Sequence, residues 1–218
     1  TNAMAKQLRS PPYSISSPIL TLHDRPASVF KPIIHSPERL TFLSRLAETK
    51  AYAGQIMACK MRLVVSSTSW TPDEDFRLFL DALVSYSAAK STSPSLPPIL
   101  AIITGKGPEK QYYLDRIAEL ESNNQLTGIA ITTAWLSTSD YALLLGSADL
   151  GVCLHKSSSG VDLPMKVVDM FGAGLPVAGY SNYESWPELV TEGVNGRGFV
   201  TSEELKAILT ELFDNNPK

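Results

Sequence analysis

Residues 148–178, ADLGVCLHKSSSGVDLPMKVVDMFGAGLPVA, decide the fold class. Ala148–Leu154 is apolar with almost no polar alternation, the pattern of a strand buried on both faces. A hydroxyl-rich loop follows from His155 to Gly160. The run LPMKVVDMFGAG reads as a helix closed by glycine, and Leu175–Ala178 opens the next strand. Strand, loop, helix and strand in that order form a parallel unit, because parallel neighbours need a crossover.

Outward from this stretch the same unit recurs. Arg62–Ser66 is a strand, SSTSWTPDEDF its loop, and a helix from Asp73 to about Ala89 carries Phe76, Phe79, Leu80, Leu83 and Val84 at helical spacing. Pro98–Ile103 is a second strand, with the loop TGKGP and a helix bearing Tyr113, Ile117 and Leu120. The linker STSPSLPP separates these units. Ile129–Thr132 is a further strand, and Ser139 or Asp140 caps a helix through Leu145. The expectation is an α/β fold, a doubly wound, Rossmann-like parallel sheet over residues 62–218. Residues 1–61 read as an extended connecting segment and a helix that dock on it. Residues 11–37 hold six of the fifteen prolines around one short strand candidate, Ile19–Leu22. A helix follows from Ser36, with Pro37 in its first turn and Leu40, Leu43 and Leu46 behind. The opening TNA before Met4 reads as an expression scar or as the interior of a longer protein.

Composition excludes several classes. At 218 residues the chain can bury a core without disulfides or a structural metal. With 19 basic against 22 acidic residues and a net charge of −3, it lacks the clustered basic excess that nucleic-acid binding needs, so no nucleic-acid partner is expected. Cys59 and Cys153 lie far apart among apolar residues, with no Cys or His at ligand spacing, which favours two reduced thiols over zinc or a disulfide. The apolar runs are far shorter than the ~20 residues of a spanning helix, so neither a membrane anchor nor a signal peptide is expected in this chain.

Ligands of doubly wound sheets sit beyond the carboxyl ends of the strands, so the loops there carry the candidate chemistry. Ser66-Ser67-Thr68-Ser69-Trp70-Thr71 offers hydroxyls and backbone N–H groups ahead of a helix, suited to an anion or equally to simple capping. Thr104-Gly-Lys-Gly-Pro108 places Lys106 between glycines that would admit a ligand close to the backbone; it lacks Walker spacing and also reads as a plain turn. In the third loop, Lys166 and Asp169 are neighbours on one helix face, behind Ser158, Ser159 and Gly160. A Lys for phosphate and a carboxylate for a ribose diol would make a nucleotide-diphosphate site; a surface ion pair between the two is the alternative.

At SSTSWTPDEDF, ITGKGP, LLLGSADLGVCLHKSSSGVDLPMKVVDMFGAGLPV and NGRGFVTSEEL the chain resembles the carboxy-terminal, donor-binding half of GT-B glycosyltransferases, and within them the chitobiosyldiphosphodolichol β-mannosyltransferase family. The resemblance runs through essentially the whole chain. It implies transfer of the first mannose from GDP-mannose to GlcNAc2-diphosphodolichol in β-1,4 linkage, with inversion, in lipid-linked oligosaccharide assembly for protein N-glycosylation at the cytoplasmic face of the endoplasmic reticulum membrane. GDP-mannose is then a donor substrate, and no cofactor or metal site is expected. In the family's E-x7-E pattern the second acid holds the ribose, and Asp169 stands there. Asp162 precedes it by seven positions rather than eight, and both are Asp, so ribose contact transfers more safely than sugar contact by Asp162. Lys106 and Lys166 match the basic positions facing the diphosphate. His155 is the one histidine beside the implied site, and Trp70 the one tryptophan considered as a wall for base or sugar. Trp135 and Trp186 read as packing residues.

The resemblance also implies an amino-terminal domain with the acceptor site, the membrane anchor and the catalytic base, and a final helix crossing back to it. None of these is recognised here, so the chain is expected to bind donor without turnover. Other pathway glycosyltransferases are conceivable partners. A non-catalytic nucleotide-sugar-binding module partnering a separate chain, and an unrelated nucleotide-binding α/β domain, are the competing readings.

Overall fold

The computed structural model of the protein describes residues 1–214. A six-stranded sheet runs in the order β3-β2-β1-β4-β5-β6, every pair parallel. Its strands are β1 (Arg62–Ser67), β2 (Ile99–Thr104), β3 (Ile129–Ala134), β4 (Leu150–Cys153), β5 (Val177–Tyr180) and β6 (Gly196–Phe199). The helices are α1 (Asn2–Arg9), α2 (Ser36–Arg45), α3 (Ala53–Met57), α4 (Phe76–Thr92), α5 (Lys110–Ser122), α6 (Thr138–Ser147), α7 (Met165–Gly172) and α8 (Ser202–Phe213).

The uniformly apolar strands have their reason in two cores, one per face. Side chains alternate across a strand. Ile99, Ala101 and Ile103 of β2 join a cluster with α4, α5 and α8, through Phe76, Phe79, Tyr113, Ile117, Leu205 and Leu209. Leu100 and Ile102 join the other, with α2, α6 and α7, through Leu43, Leu144, Leu145, Val167 and Met170. With both faces covered, no position in the middle of the sheet can be polar without losing its water.

The expectations from sequence need four corrections here. Ile19–Leu22 forms no strand: Leu20 and Leu22 are the most exposed large apolar side chains of the segment, and the backbone there pairs with no neighbour in the sheet. Helix α6 begins earlier than expected, because Ser137 rather than Ser139 or Asp140 accepts the Asp140 N–H as its cap. Helix α4 starts at Phe76, capped by Asp75, and not at Asp73. The strand Gly196–Phe199 is an addition, since a glycine-rich run has little strand propensity; its pairing with β5 supplies the order. After it, Thr201 and Glu204 form a capping box that starts α8.

The segment before α2 lies over the carboxyl ends of α6 and α7, where glycines let it come close. Gly172 faces Pro26 and Phe30, Gly174 faces Pro32, and Gly146 faces Ile33. At the other end, Glu188 accepts from the Asn2 and Ala3 N–H groups at the start of α1. Adding a methyl at Gly172 would put carbon 2.4 Å from Pro26 Cβ, on a ring that cannot rotate away. Gly172→Ala should therefore loosen this segment: limited proteolysis should cut within residues 10–34 faster than in the wild type, while the far-ultraviolet dichroism of the sheet domain is kept.

Candidate nucleotide-binding cleft

The strand order reverses between β1 and β4, and there the following loops part, one leading to α4 on one face and one to α7 on the other. Such a switch point leaves a crevice beyond the strand ends. Here a cleft of about 540 Å³ opens over the ends of β1, β2 and β3. Ser67, Thr68 and Ser69 line it from β1, Thr104, Gly105 and Lys106 from β2, and Trp135 from β3; Tyr141 of α6 and Lys166 and Asp169 of α7 close the side. A groove of similar size between α4 and α5 lies off the strand ends.

The floor is a chain of hydroxyls. Thr104 Oγ1 donates to Ser67 Oγ at 2.9 Å, and Ser67 Oγ lies 2.8 Å from the Tyr141 hydroxyl. Burial pushes the Tyr141 phenol up to about 12 against the Ser67 hydrogen bond, so it remains protonated at neutral pH. Beside it, Glu74 is almost wholly buried. One of its oxygens accepts from Thr68 Oγ1, Ser69 N–H and Ser69 Oγ, and the other from the Lys166 ammonium. Burial works to raise the Glu74 pKa, but Lys166 and the Ser69 N–H outweigh it and hold the carboxyl below its usual range. Lys166 is thus ion-paired across the switch point with Glu74, not along its own helix with Asp169. The Asp169 side chain makes no hydrogen bond or ion pair among the described residues, and burial alone pushes its pKa up.

Lys106 and Lys166 both line this cleft, as do Asp169 and Ser67. Ser66 does not: it is fully buried in β1, one residue below the loop, where a strand's alternation turns it away from the opening. Trp70 is also excluded. It has a positive φ of 52° and is wholly buried against Phe76 and Tyr113, so it serves the core and cannot form a wall. The aromatic at the mouth is Trp135, 66% exposed, with the Lys106 ammonium 4.0 Å from its ring centre. Its place as the first residue past β3 is the available signal in the sequence; treating tryptophans as packing residues hides it.

His155, Ser158, Ser159, Gly160 and Asp162 do not line the cleft. Asp162 is engaged within its own loop, accepting from Ser157 and Ser159 and lying 2.8 Å from His155 Nε2. Burial opposes ionisation of Asp162, yet the hydroxyls and His155 bring its pKa down to about 2. Ser185 Oγ and Thr1 Oγ1 tie down the Asp162 and Val161 carbonyls. Ser158 stands exposed at the loop tip, and Gly160 has a φ of +75° with open space around it. Asp162 therefore helps to shape this loop. Glu74 is the residue that sequence reasoning misses: in PDED nothing distinguishes it from its exposed neighbour Asp73.

The glycines of the second loop have a different purpose from the one expected. A Cβ at Gly105 would lie 1.8 Å from the Thr68 carbonyl oxygen, and one at Gly107 1.6 Å from that of Ser69. They admit the neighbouring loop, which Glu109 N–H also clasps by donating to the Trp70 carbonyl. Among the described residues no group of three or more His, Cys, Asp or Glu could hold a metal ion, and no helix is long and apolar enough to cross a membrane.

No family model matches the chain. It is 57% identical over 213 residues to the chitobiosyldiphosphodolichol beta-mannosyltransferase of Arthroderma benhamiae, covering 97% of this chain and 47% of that protein. The Homo sapiens protein of the same name is 44% identical over 222 residues, covering 91% of this chain and 47% of its own. Along nearly its whole length the chain is similar to one part of proteins named chitobiosyldiphosphodolichol beta-mannosyltransferase. It spans about half the length of the curated relatives it matches. Another member of this group of relatives, from Arabidopsis thaliana and named UDP-glycosyltransferase TURAN, is 53% identical over 168 residues, 71% of this chain and 35% of that one. The fold is that of about half of each of two solved glycosyltransferase-like chains. A glycosyltransferase from Rickettsia africae superposes with a TM-score of 0.68 at 15% identity, over 97% of this chain and 51% of that one. Anabaena HepE, solved with UDP and glucose, gives 0.59 at 19% identity, over 86% and 45%.

At Gly105 the two loops touch closely, and its φ of +126° already disfavours any side chain. Gly105→Ala should lower stability by roughly 1–3 kcal/mol or more in urea unfolding, through backbone strain and overpacking. Lys106→Ala, on the exposed neighbour, should stay within about 0.5 kcal/mol of wild type.

Proposed function

We propose that the chain is the donor-binding half of an enzyme that transfers the first mannose from GDP-mannose to diphosphodolichol-linked chitobiose in β-1,4 linkage, for protein N-glycosylation, at the cytoplasmic face of the endoplasmic reticulum membrane. The high identity to mannosyltransferases along nearly the whole chain carries this reading. The cleft at the strand ends supports it, with two lysines, a free half-buried carboxylate and an exposed indole around one opening.

In this reading GDP lies across the ends of β1–β3. Lys166, in the first turn of α7, faces the diphosphate, where the helix N-terminus adds its own partial positive charge. Lys106 approaches the phosphates from the opposite side, and Trp135 offers an apolar ring to the guanine. Asp169, one turn further into α7, accepts from the ribose hydroxyls, and two oxygens meeting two neighbouring donors gives its charge a partner that the described residues do not supply. Inverting transfer needs a base to deprotonate the acceptor hydroxyl. That base, the acceptor and the membrane attachment belong, in this reading, to the other half of the enzyme, so this chain binds donor without turning it over. GDP-mannose is a substrate, and the reading names no cofactor.

Calorimetric titration is the direct test. GDP should bind and UDP should bind more weakly; absence of heat with GDP, with the fold intact, sinks the proposal. Lys166→Ala should weaken GDP by about 1–3 kcal/mol more than GMP, the size of a charge-assisted hydrogen bond to the outer phosphate. The same change strands Glu74 and costs stability: about 3–5 kcal/mol for a fully buried pair, less here because Lys166 is 31% exposed. The titration must therefore be run well below its melting temperature.

Asp169 gives a pH dependence of definite sign. Its pKa is raised by burial in the free protein, and ribose hydrogen bonds favour the charged form, so binding draws the pKa down. GDP affinity should be full above the raised pKa and fall as pH drops through it. Asp169→Asn should weaken GDP and flatten that acid limb, and a 2′,3′-dideoxy analogue should bind both proteins alike. Equal losses for GDP and the dideoxy analogue would make Asp169 a structural residue.

A further inference from the structure

Glu74 is the one buried acidic or basic residue among the described residues, with 3% of its surface exposed. Burying a carboxylate is costly even when paired, and a neutral side chain of the same shape often serves the fold as well. Its two oxygens divide the work. Oε2 takes the three donors of Thr68 and Ser69, which fastens the loop after β1, and Oε1 takes only Lys166. The loop could be held by an amide oxygen in place of Oε2; the charge is needed only where Oε1 meets the ammonium.

Lys166 is at the same time a wall of the cleft and open to solvent over 31% of its side chain. An ammonium has three donors, and a point charge can pass from one oxygen to another without reorienting a plane. Resting on Glu74, it is held at the cleft wall with its charge largely cancelled. Lys106, the other cation lining the cleft, is engaged over the Trp135 ring at the mouth. The cleft therefore has little uncommitted positive charge of its own.

We infer that Glu74 is a positioning residue that acts through Lys166, holding the ammonium at the cleft and competing with the outer phosphate of a nucleoside diphosphate for it. Glu74 then weakens diphosphate binding and narrows the preference for diphosphate over monophosphate, so that the spent nucleotide can leave. This inference rests on the nucleotide-diphosphate reading of the cleft.

The test is Glu74→Gln, which keeps an oxygen for Ser69 and Thr68 and turns an amide NH2, a donor that Lys166 cannot use, towards the ammonium. Thermal melting establishes that it folds, and calorimetry at low ionic strength measures GDP and GMP. The expected result is a roughly three- to tenfold gain for GDP, the scale of one charged contact released to the ligand, with a smaller gain for GMP. In a Lys166→Ala background the same substitution should leave the GDP/GMP ratio unchanged. A loss of GDP affinity, equal changes for both nucleotides, or an effect that survives without Lys166 overturns the inference and makes Glu74 a loop fastener.

If the variant does not fold, the wild type decides the matter through the carbon-13 resonance of the Glu74 carboxyl. That group should titrate at higher pH in the GDP complex than in the GMP complex, because it has lost its partner; coincident curves overturn the inference. Failure of the wild type to bind GDP at all would instead remove the nucleotide reading, and this inference with it.

Discussion

The ion pair of Glu74 with Lys166 spans the point where the chain changes direction across the sheet. On one side the loop after β1 must leave for α4, and on the other the loop after β4 must leave for α7. Divergence of the two opens the cleft, and without a tie the loops would have only their own short contacts. A carboxylate buried in the first and an ammonium at the start of α7 fix their separation. The second contact, from Lys156 N–H to the Asp73 carbonyl, and a third, from the Lys156 ammonium to Asp75, reinforce the same seam. The cost of burying Glu74 is offset by four donors, which is why Thr68 and Ser69 beside it are both hydroxyl residues.

Around that seam two kinds of loop coexist. Residues 155–162 satisfy themselves: Asp162 is the hub of its own hydroxyls and of His155, and α1 and the 181–188 turn pack against the outside. The loops after β1 and β2 are clasped by backbone approaches that only glycine permits, and Ser67, Thr68, Ser69 and Thr104 line the cleft. The carboxylate of Asp169, without a hydrogen-bond partner among the described residues, sits between, one turn into α7. A ligand that supplies donors to it and acceptors to Lys166 and Lys106 completes both sets at once. This complementarity, more than any single residue, is what the proposal of a nucleoside diphosphate ligand draws on.

Much of this architecture is legible in the amino-acid order. Apolar runs such as ILAII and LGVC can only be strands covered on both faces, because nothing in them can meet water. The placing of Lys106, Lys166, Asp169 and Ser67 near strand ends follows from the repeating unit itself. The strand Gly196–Phe199 is not legible, since its pairing with β5 comes from a neighbour across the sheet and not from local propensity.

Hydrophobic period and strand-end position are local properties, and from them follow the α/β class and the parallel alternation; they make the two lysines and the carboxylate candidates, whose roles the family resemblance implies. Which of the candidates meet is a matter of tertiary structure. Ser66 and Trp70 are turned inward, Asp162 bonds within its own loop, Trp135 rather than Trp70 stands at the mouth, and Lys166 pairs with Glu74, 92 residues away, rather than with Asp169 three residues on. The reason is geometric. Helical spacing says which side chains could touch, but the partner of a charge is chosen by the nearest opposite charge that burial leaves without water, and for Lys166 that charge comes from another loop.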